Sequence, residues 1–191
     1  MHAIPFGIRT FALSLLLLFG TPLETANYDG GHETLFALIN ERLSYMEQVA
    51  LYKHHNDLAI EDRQRERMVI DDSKLGASRR GLDPESIEGF FAAQIAVAKA
   101  IQYRHLADWQ STPTTAQPLD LANRIRPAIT DLGELIIANI ALLLQSGKSV
   151  DEQHRQLFHK AMSVANLTES DKDLLFESLI AVKAKPTAQR N

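Results

Sequence analysis

Between Leu35 and Lys53 the chain places Leu35, Leu38, Ile39, Arg42, Met46, Val49, Ala50 and Lys53 in steps of three and four, the spacing of one face of an α-helix. A strand would need alternation at a period of two, so the pattern commits this segment to helix. Two members of the stripe are cations. Arg42 and Lys53 are eleven residues apart, which at about 100° per residue is roughly three turns plus 20°, so both project from one side about 16 Å apart along the axis. A single cation at the edge of an apolar stripe snorkels to water or pairs with a carboxylate. Two on one line describe a buried cationic wall.

The same period recurs along the rest of the chain, and no alternating run of strand length occurs. The spacing predicts a long first helix from His32 to His55, ended by Asn56 and Asp57, whose side chains compete for backbone hydrogen bonds. A second helix runs from Asp62 towards Arg80 with Gly81 as its stop. A third opens on Asp83 as N-cap and Pro84 as first residue and continues to about Trp109. The polar stretch Ser111 to Pro118 is a loop. A fourth spans Asp120 to Gln145, with Pro127 either kinking it or marking its true start. Shorter helices at Val150 to Val164 and Glu169 to Lys183 follow. The fold class is all-α, a single-domain bundle of about six helices.

At 191 residues, 45% hydrophobic and 23% charged, the chain suits one globular domain with a real core. A net charge of -4 without a dense basic run argues against a nucleic-acid footprint and leaves room for a small anion in a local pocket. Arg9, the apolar run Phe11 to Phe19 and the breaker Gly20-Thr21-Pro22 make a signal peptide over 1–26, too short to span a bilayer. The expected destination is therefore periplasmic or secreted, without lasting membrane association, and residues 27–191 form the domain. The absence of cysteine rules out a disulfide framework, thiolate metal sites and cysteine nucleophiles.

Ile60-Glu61-Asp62-Arg63-Gln64-Arg65-Glu66-Arg67 read alone is a solvated helix start. Gln94 and Gln102 lie on the aromatic-rich stripe of the third helix, where core glutamines can satisfy each other. His54-His55 points two ways and His154 and His159 lack helical metal spacing, so no metal is expected. Hydrolase, nucleotide-binding and zinc-peptidase motifs are missing. The chemistry on offer is cation, carboxylate and amide.

These residues resemble a known family, the all-helical AroQ-class chorismate mutases and their exported gamma subclass. The matching text is Leu38-Ile39-Asn40-Glu41-Arg42-Leu43, Val49-Ala50-Leu51-Tyr52-Lys53, Ile60-Glu61-Asp62 with Arg65-Glu66, Phe90 to Ile95, and Ala100-Ile101-Gln102-Tyr103. The resemblance is strong over Leu35 to Trp109 and looser beyond. It implies a cofactor-free isomerase that rearranges chorismate to prephenate, and a homodimer. Residues 30–111 would carry the catalytic helices and 119–185 the helices that add one arginine.

Carried over, Arg42 and Arg65 are carboxylate clamps, Lys53 and Gln102 donors to the ether oxygen, and Asp62 and Glu66 partners of the substrate hydroxyl. The resemblance also implies a further arginine from the fourth helix, for which Arg126 is chosen over Arg124. Ala98 stands where some relatives carry a hydroxyl, so one carboxylate contact is absent or taken over by Gln94. Gln102 stands where some carry Glu, and an amide donates at any pH. The rivals are an isochorismate lyase on the same fold and a non-catalytic exported module binding an anion or a partner.

Overall fold

The computed structural model describes residues 31–186; the leader expected at 1–26 lies outside the described residues. Seven α-helices form among them: α1 (His32–Ser44), α2 (Met46–His55), α3 (Arg63–Arg79), α4 (Pro84–Ser111), α5 (Arg126–Gln145), α6 (Arg155–Ala161) and α7 (Glu169–Ile180). A π-helical turn at Leu121–Ile125 precedes α5, and a 3-10 turn at Glu152–His154 precedes α6. The one extended pairing among the described residues is an isolated bridge between Leu82 and Ala184.

The long first helix is interrupted at Tyr45. The Ser44 hydroxyl donates to the carbonyl of Glu41 at 2.7 Å, occupying the acceptor that the Tyr45 N–H would use in a continuous helix. The interruption is slight, because Tyr45 keeps right-handed dihedrals and accepts from Val49 N–H at 3.0 Å. The stripe keeps its register, and Arg42 and Lys53 line one cleft.

Two helix ends set the loops around that cleft. After α2, Leu58 N–H reaches the Lys53 carbonyl at 2.9 Å and Asp57 N–H reaches His54 at 3.4 Å, with Asp57 left-handed at φ 52°. This paired closure turns the chain back sharply, so that Ile60 returns beside Lys53. After α3, Gly81 at φ 75° performs the same closure through Leu82 N–H to Ala77 at 3.0 Å. Gly81 therefore ends the helix as its type predicts, and Asp83 then caps α4 through Glu85 N–H at 3.3 Å.

Ahead of α5, Asp120 caps the π turn by accepting from Ala122 and Asn123 N–H at 2.9 Å each. Pro127 sits at the start of α5, where its ring would strike the carbonyl four residues back in a regular helix; the widened turn makes room for it. Both expectations for Pro127 are thus met in part: it marks the start of regular helix and follows a distorted turn. Leu121–Gln145 is long and apolar enough by composition to cross a membrane, but Leu132, Ile136, Ile137, Ile140 and Leu143 are buried within the bundle.

α4 is the spine, with α2, α3 and α7 packed along it, while α1 lies against α5 and α6. Phe36, Phe90, Phe158 and Phe176 are wholly buried, and Phe36 meets Phe158 edge to face at 5.1 Å between ring centres. Arg104 ties α4 to α7 through Asp171 at 2.6 Å.

Candidate active site

A solvent-open cleft of about 690 Å³ lies between α1–α2, the start of α3, the middle of α4 and the start of α5. Every residue the sequence reading assigned to the site lines it: Arg42, Lys53, Asp62, Arg65, Glu66, Ala98, Gln102 and Arg126. Arg124 is exposed and stands outside the lining.

Arg42 is 4% exposed. Its Nη1 donates to Gln94 Oε1 at 3.1 Å, the guanidinium stacks over Phe91 at 5.6 Å, and its Nε has no partner among the described residues. Burial first, and the neighbouring Arg65 second, push its pKa down to about 10. It remains charged at neutral pH, without a carboxylate among the described residues to balance it. An anion in the cleft would supply that balance.

Gln94 is wholly buried behind Arg42 and does not line the cleft. Its Oε1 is taken by Arg42, and no hydrogen bond joins it to Gln102 among the described residues. Gln102, also buried, turns its amide towards the Ala98 carbonyl at 3.0 Å and the Met46 sulfur at 3.6 Å. Its Oε1 has no partner among the described residues.

Lys53 is 7% exposed and donates to the Ile60 carbonyl at 2.5 Å. Burial is the main cause that lowers its pKa; Asp62 opposes that effect and Arg126 adds to it. An ammonium held on a main-chain oxygen in a partly dry cleft interacts strongly with any charge that develops beside it.

The start of α3 is built around Asp62. Its Oδ1 accepts from Arg65 N–H at 3.0 Å, its Oδ2 meets Arg126 at 3.1 Å, and its own N–H points at Glu66 Oε1 at 3.3 Å. The cap that starts the helix also draws α5 onto α3. Arg65 extends the link by donating to Thr130 Oγ1 at 3.1 Å, and Thr130 donates to the Arg126 carbonyl at 2.9 Å.

Sequence reasoning passed over Lys99. It lines the cleft and pairs with Glu66 Oε2 at 3.0 Å. The available signal was its spacing, four residues after Ile95 and three before Gln102, which puts it on the cleft face of α4. Cations Arg42, Lys53, Arg65, Lys99 and Arg126 outnumber the carboxylates Asp62 and Glu66 in the lining, so the cleft suits a small molecule carrying more than one negative charge.

Fold and cleft together define an all-helical protein with a polycationic pocket for a small anion. The family model described as chorismate mutase type II matches residues 31–103. The secreted chorismate mutase of Yersinia pestis is 42% identical over 78% of this chain and 80% of its own length. A monofunctional chorismate mutase of Enterobacter agglomerans is 35% identical over 78% of this chain and 82% of its own. The crystal structure of the Yersinia pestis protein superposes with a TM-score of 0.73 at 40% identity, covering 79% of this chain and 97% of that one. The chain belongs to the type II chorismate mutase family.

Proposed function

We propose that this cleft is where the chain rearranges chorismate to prephenate, and that its residues act by orienting the substrate and stabilising charge. The observation that carries this reading is the convergence of buried Arg42, Lys53 and Gln102 with Arg65, Glu66 and Arg126 on one cleft.

The substrate is a dianion with an enol ether and a ring hydroxyl. Arg42, with its unpartnered Nε, and Arg65 hold its carboxylates, and Arg126 adds a third guanidinium by exchanging part of its contact with Asp62. Planar paired donors suit a carboxylate and fix its direction. Holding both carboxylates folds the molecule so that the carbons to be joined meet, which contributes through lost freedom already removed on binding.

As the C–O bond breaks, negative charge grows on the ether oxygen. Lys53 Nζ donates to it through an N–H not used on the Ile60 carbonyl, and Gln102 Nε2 through the N–H that otherwise faces the Met46 sulfur, its other N–H staying on the Ala98 carbonyl. Donors fixed before the reaction stabilise the transition state more than the ground state. Asp62 has both carboxylate oxygens engaged, so its N–H is the group that faces the substrate hydroxyl. That hydroxyl enters between the Asp62 N–H and Glu66 Oε1, accepting from one and donating to the other.

The secreted relatives support export of the chain. Pairing of two copies is proposed with it, and light scattering of the purified chain measures that state. The function is tested by following loss of chorismate absorbance, with phenylpyruvate after acidification as the product check and isochorismate as a second substrate. Turnover of chorismate to prephenate is expected. Pyruvate release from isochorismate without prephenate formation would replace this reading by the lyase.

A further inference from the structure

Lys99 and Tyr103 are one turn apart on α4, and each reaches a carboxylate on the segment that enters α3. Lys99 Nζ meets Glu66 Oε2 at 3.0 Å, and the Tyr103 hydroxyl donates to Glu61 Oε2 at 2.5 Å. Residues 60–66 supply one wall of the cleft: the Ile60 carbonyl that receives Lys53, the cap Asp62, and the side chains of Arg65 and Glu66. At its upstream end this segment follows a left-handed residue, Asp57, and exposed Leu58 and Ala59. Its other polar contacts run to α2, within α3 and to Arg126 and Thr130 of α5, so the two bonds to Lys99 and Tyr103 are the polar contacts that tie it to α4.

We propose that Lys99 and Tyr103 are positioning residues for the reaction: together they clamp residues 60–66 against α4 and so set where Lys53 and Glu66 stand relative to Gln102. The inference rests on the function proposed above. Gln102 lies on α4 between the two clamp residues, while Lys53 takes its bearing from Ile60, the neighbour of Glu61. A shift of the segment away from α4 therefore widens the gap between the two ether-oxygen donors. Glu66 feels the same shift directly, since one of its oxygens is on Lys99 and the other on the Asp62 N–H.

Ion pairs between α3 and α4 can be packing devices and nothing more. Lys74 with Glu85 and Glu88, at 2.9 and 2.5 Å, is such a pair, and neither it nor its partners line the cleft. It serves as the internal control.

The test compares Lys99→Met, Tyr103→Phe, their double variant and Lys74→Met in the full chain, by kcat and KM for chorismate and by amide exchange of residues 60–66 without ligand. Each clamp variant is expected to lower kcat about 3- to 10-fold, the double about 30-fold, because small misplacements of preorganised groups are costly. KM should change less than about twofold, exchange at 60–66 should accelerate in the same order, and Lys99→Arg should retain most activity. Lys74→Met should leave both readouts at wild-type values. Unchanged exchange at 60–66 in the double variant overturns the clamp, whatever the activity does. Faster exchange with unchanged kcat overturns the positioning role. An unmutated chain that does not turn over chorismate would strike the proposed function instead, and the exchange measurements would still decide whether the clamp exists.

Discussion

Arg126 Nη2 stands 3.1 Å from Asp62 Oδ2, across a gap of 64 residues in sequence. The contact closes the cleft by joining the first turn of α5 to the N-cap of α3. It also discriminates between two arginines that the sequence offered together, since Arg124 projects to solvent from the π turn.

Replacing these two arginines should therefore separate them. Arg126→Ala is expected to lower kcat/KM about 10- to 100-fold, the loss of one hydrogen bond to a charged group. Arg124→Ala should remain within about twofold of the parent, as substitutions away from a site generally do. Steady-state assays of both variants check this, and a larger loss for Arg124→Ala would move the fourth-helix cation to that residue.

Much of this arrangement was legible because it depends on residue types with one local meaning. Gly81, Asp83 and Pro84 each act through their own backbone or side chain, so the α3–α4 corner falls where they stand. The stripe from Leu35 to Lys53 marks Arg42 and Lys53 as buried because burial follows period. Legibility ended where two groups compete. The break at Tyr45 arises from Ser44 taking the Glu41 carbonyl, and Ser in mid-helix does this only sometimes. The partner of Gln94 proved to be Arg42, not Gln102, because tertiary packing set which amide faced which cation. Lys99 reads as an ordinary solvated lysine until the fold brings Glu66 beside it.

Lys53 gives the most direct test of how the proposed mechanism divides its work. Lys53→Ala is expected to lower kcat more than about a hundredfold, the usual cost of removing one preorganised donor. Circular dichroism and the denaturant midpoint should stay close to the parent, because the lost contact is a single bond to the Ile60 carbonyl. Near-parental turnover by the folded variant would remove Lys53 from the ether oxygen.

Arg42 and Gln94 should trade activity for stability. A guanidinium 4% exposed, bonded to one amide and paired with no carboxylate among the described residues, is costly to bury. The sign follows from its pKa: about 10 in the folded chain, below the ordinary arginine value, so the unfolded chain binds the proton more tightly. The penalty is present in full at neutral pH and is relieved only as pH rises through that interval. Removing Arg42 alone would strand Gln94, so both must change. Arg42→Met with Gln94→Leu is expected to gain about 1–4 kcal/mol of stability, as replacements of buried charge by apolar groups often do. The same variant should lose nearly all turnover. Urea unfolding at pH 7 reads the first effect, and a midpoint below that of the parent would show that the pair stabilises the empty cleft.

Gln102 and Lys53 together define the pH dependence. An amide carries its donor at every pH, so the one titratable donor proposed to meet the ether oxygen is Lys53. Its pKa is lowered, chiefly by burial, so kcat/KM should fall on the alkaline side before the ordinary lysine value is reached. Below that fall the profile is expected to be flat from about pH 5 to 8, the interval separating ordinary carboxylate and lysine titrations. Gln102→Glu should replace the flat region by a slope. A carboxyl group donates to the ether oxygen only when protonated, and burial at position 102 favours the protonated form. Activity of this variant should therefore fall as pH rises, by about tenfold for each unit above its pKa, and recover on return to pH 5. A Gln102→Glu variant with the same flat profile as the parent would mean that residue 102 does not donate to the breaking bond, and Lys53 would then act on the ether oxygen without it.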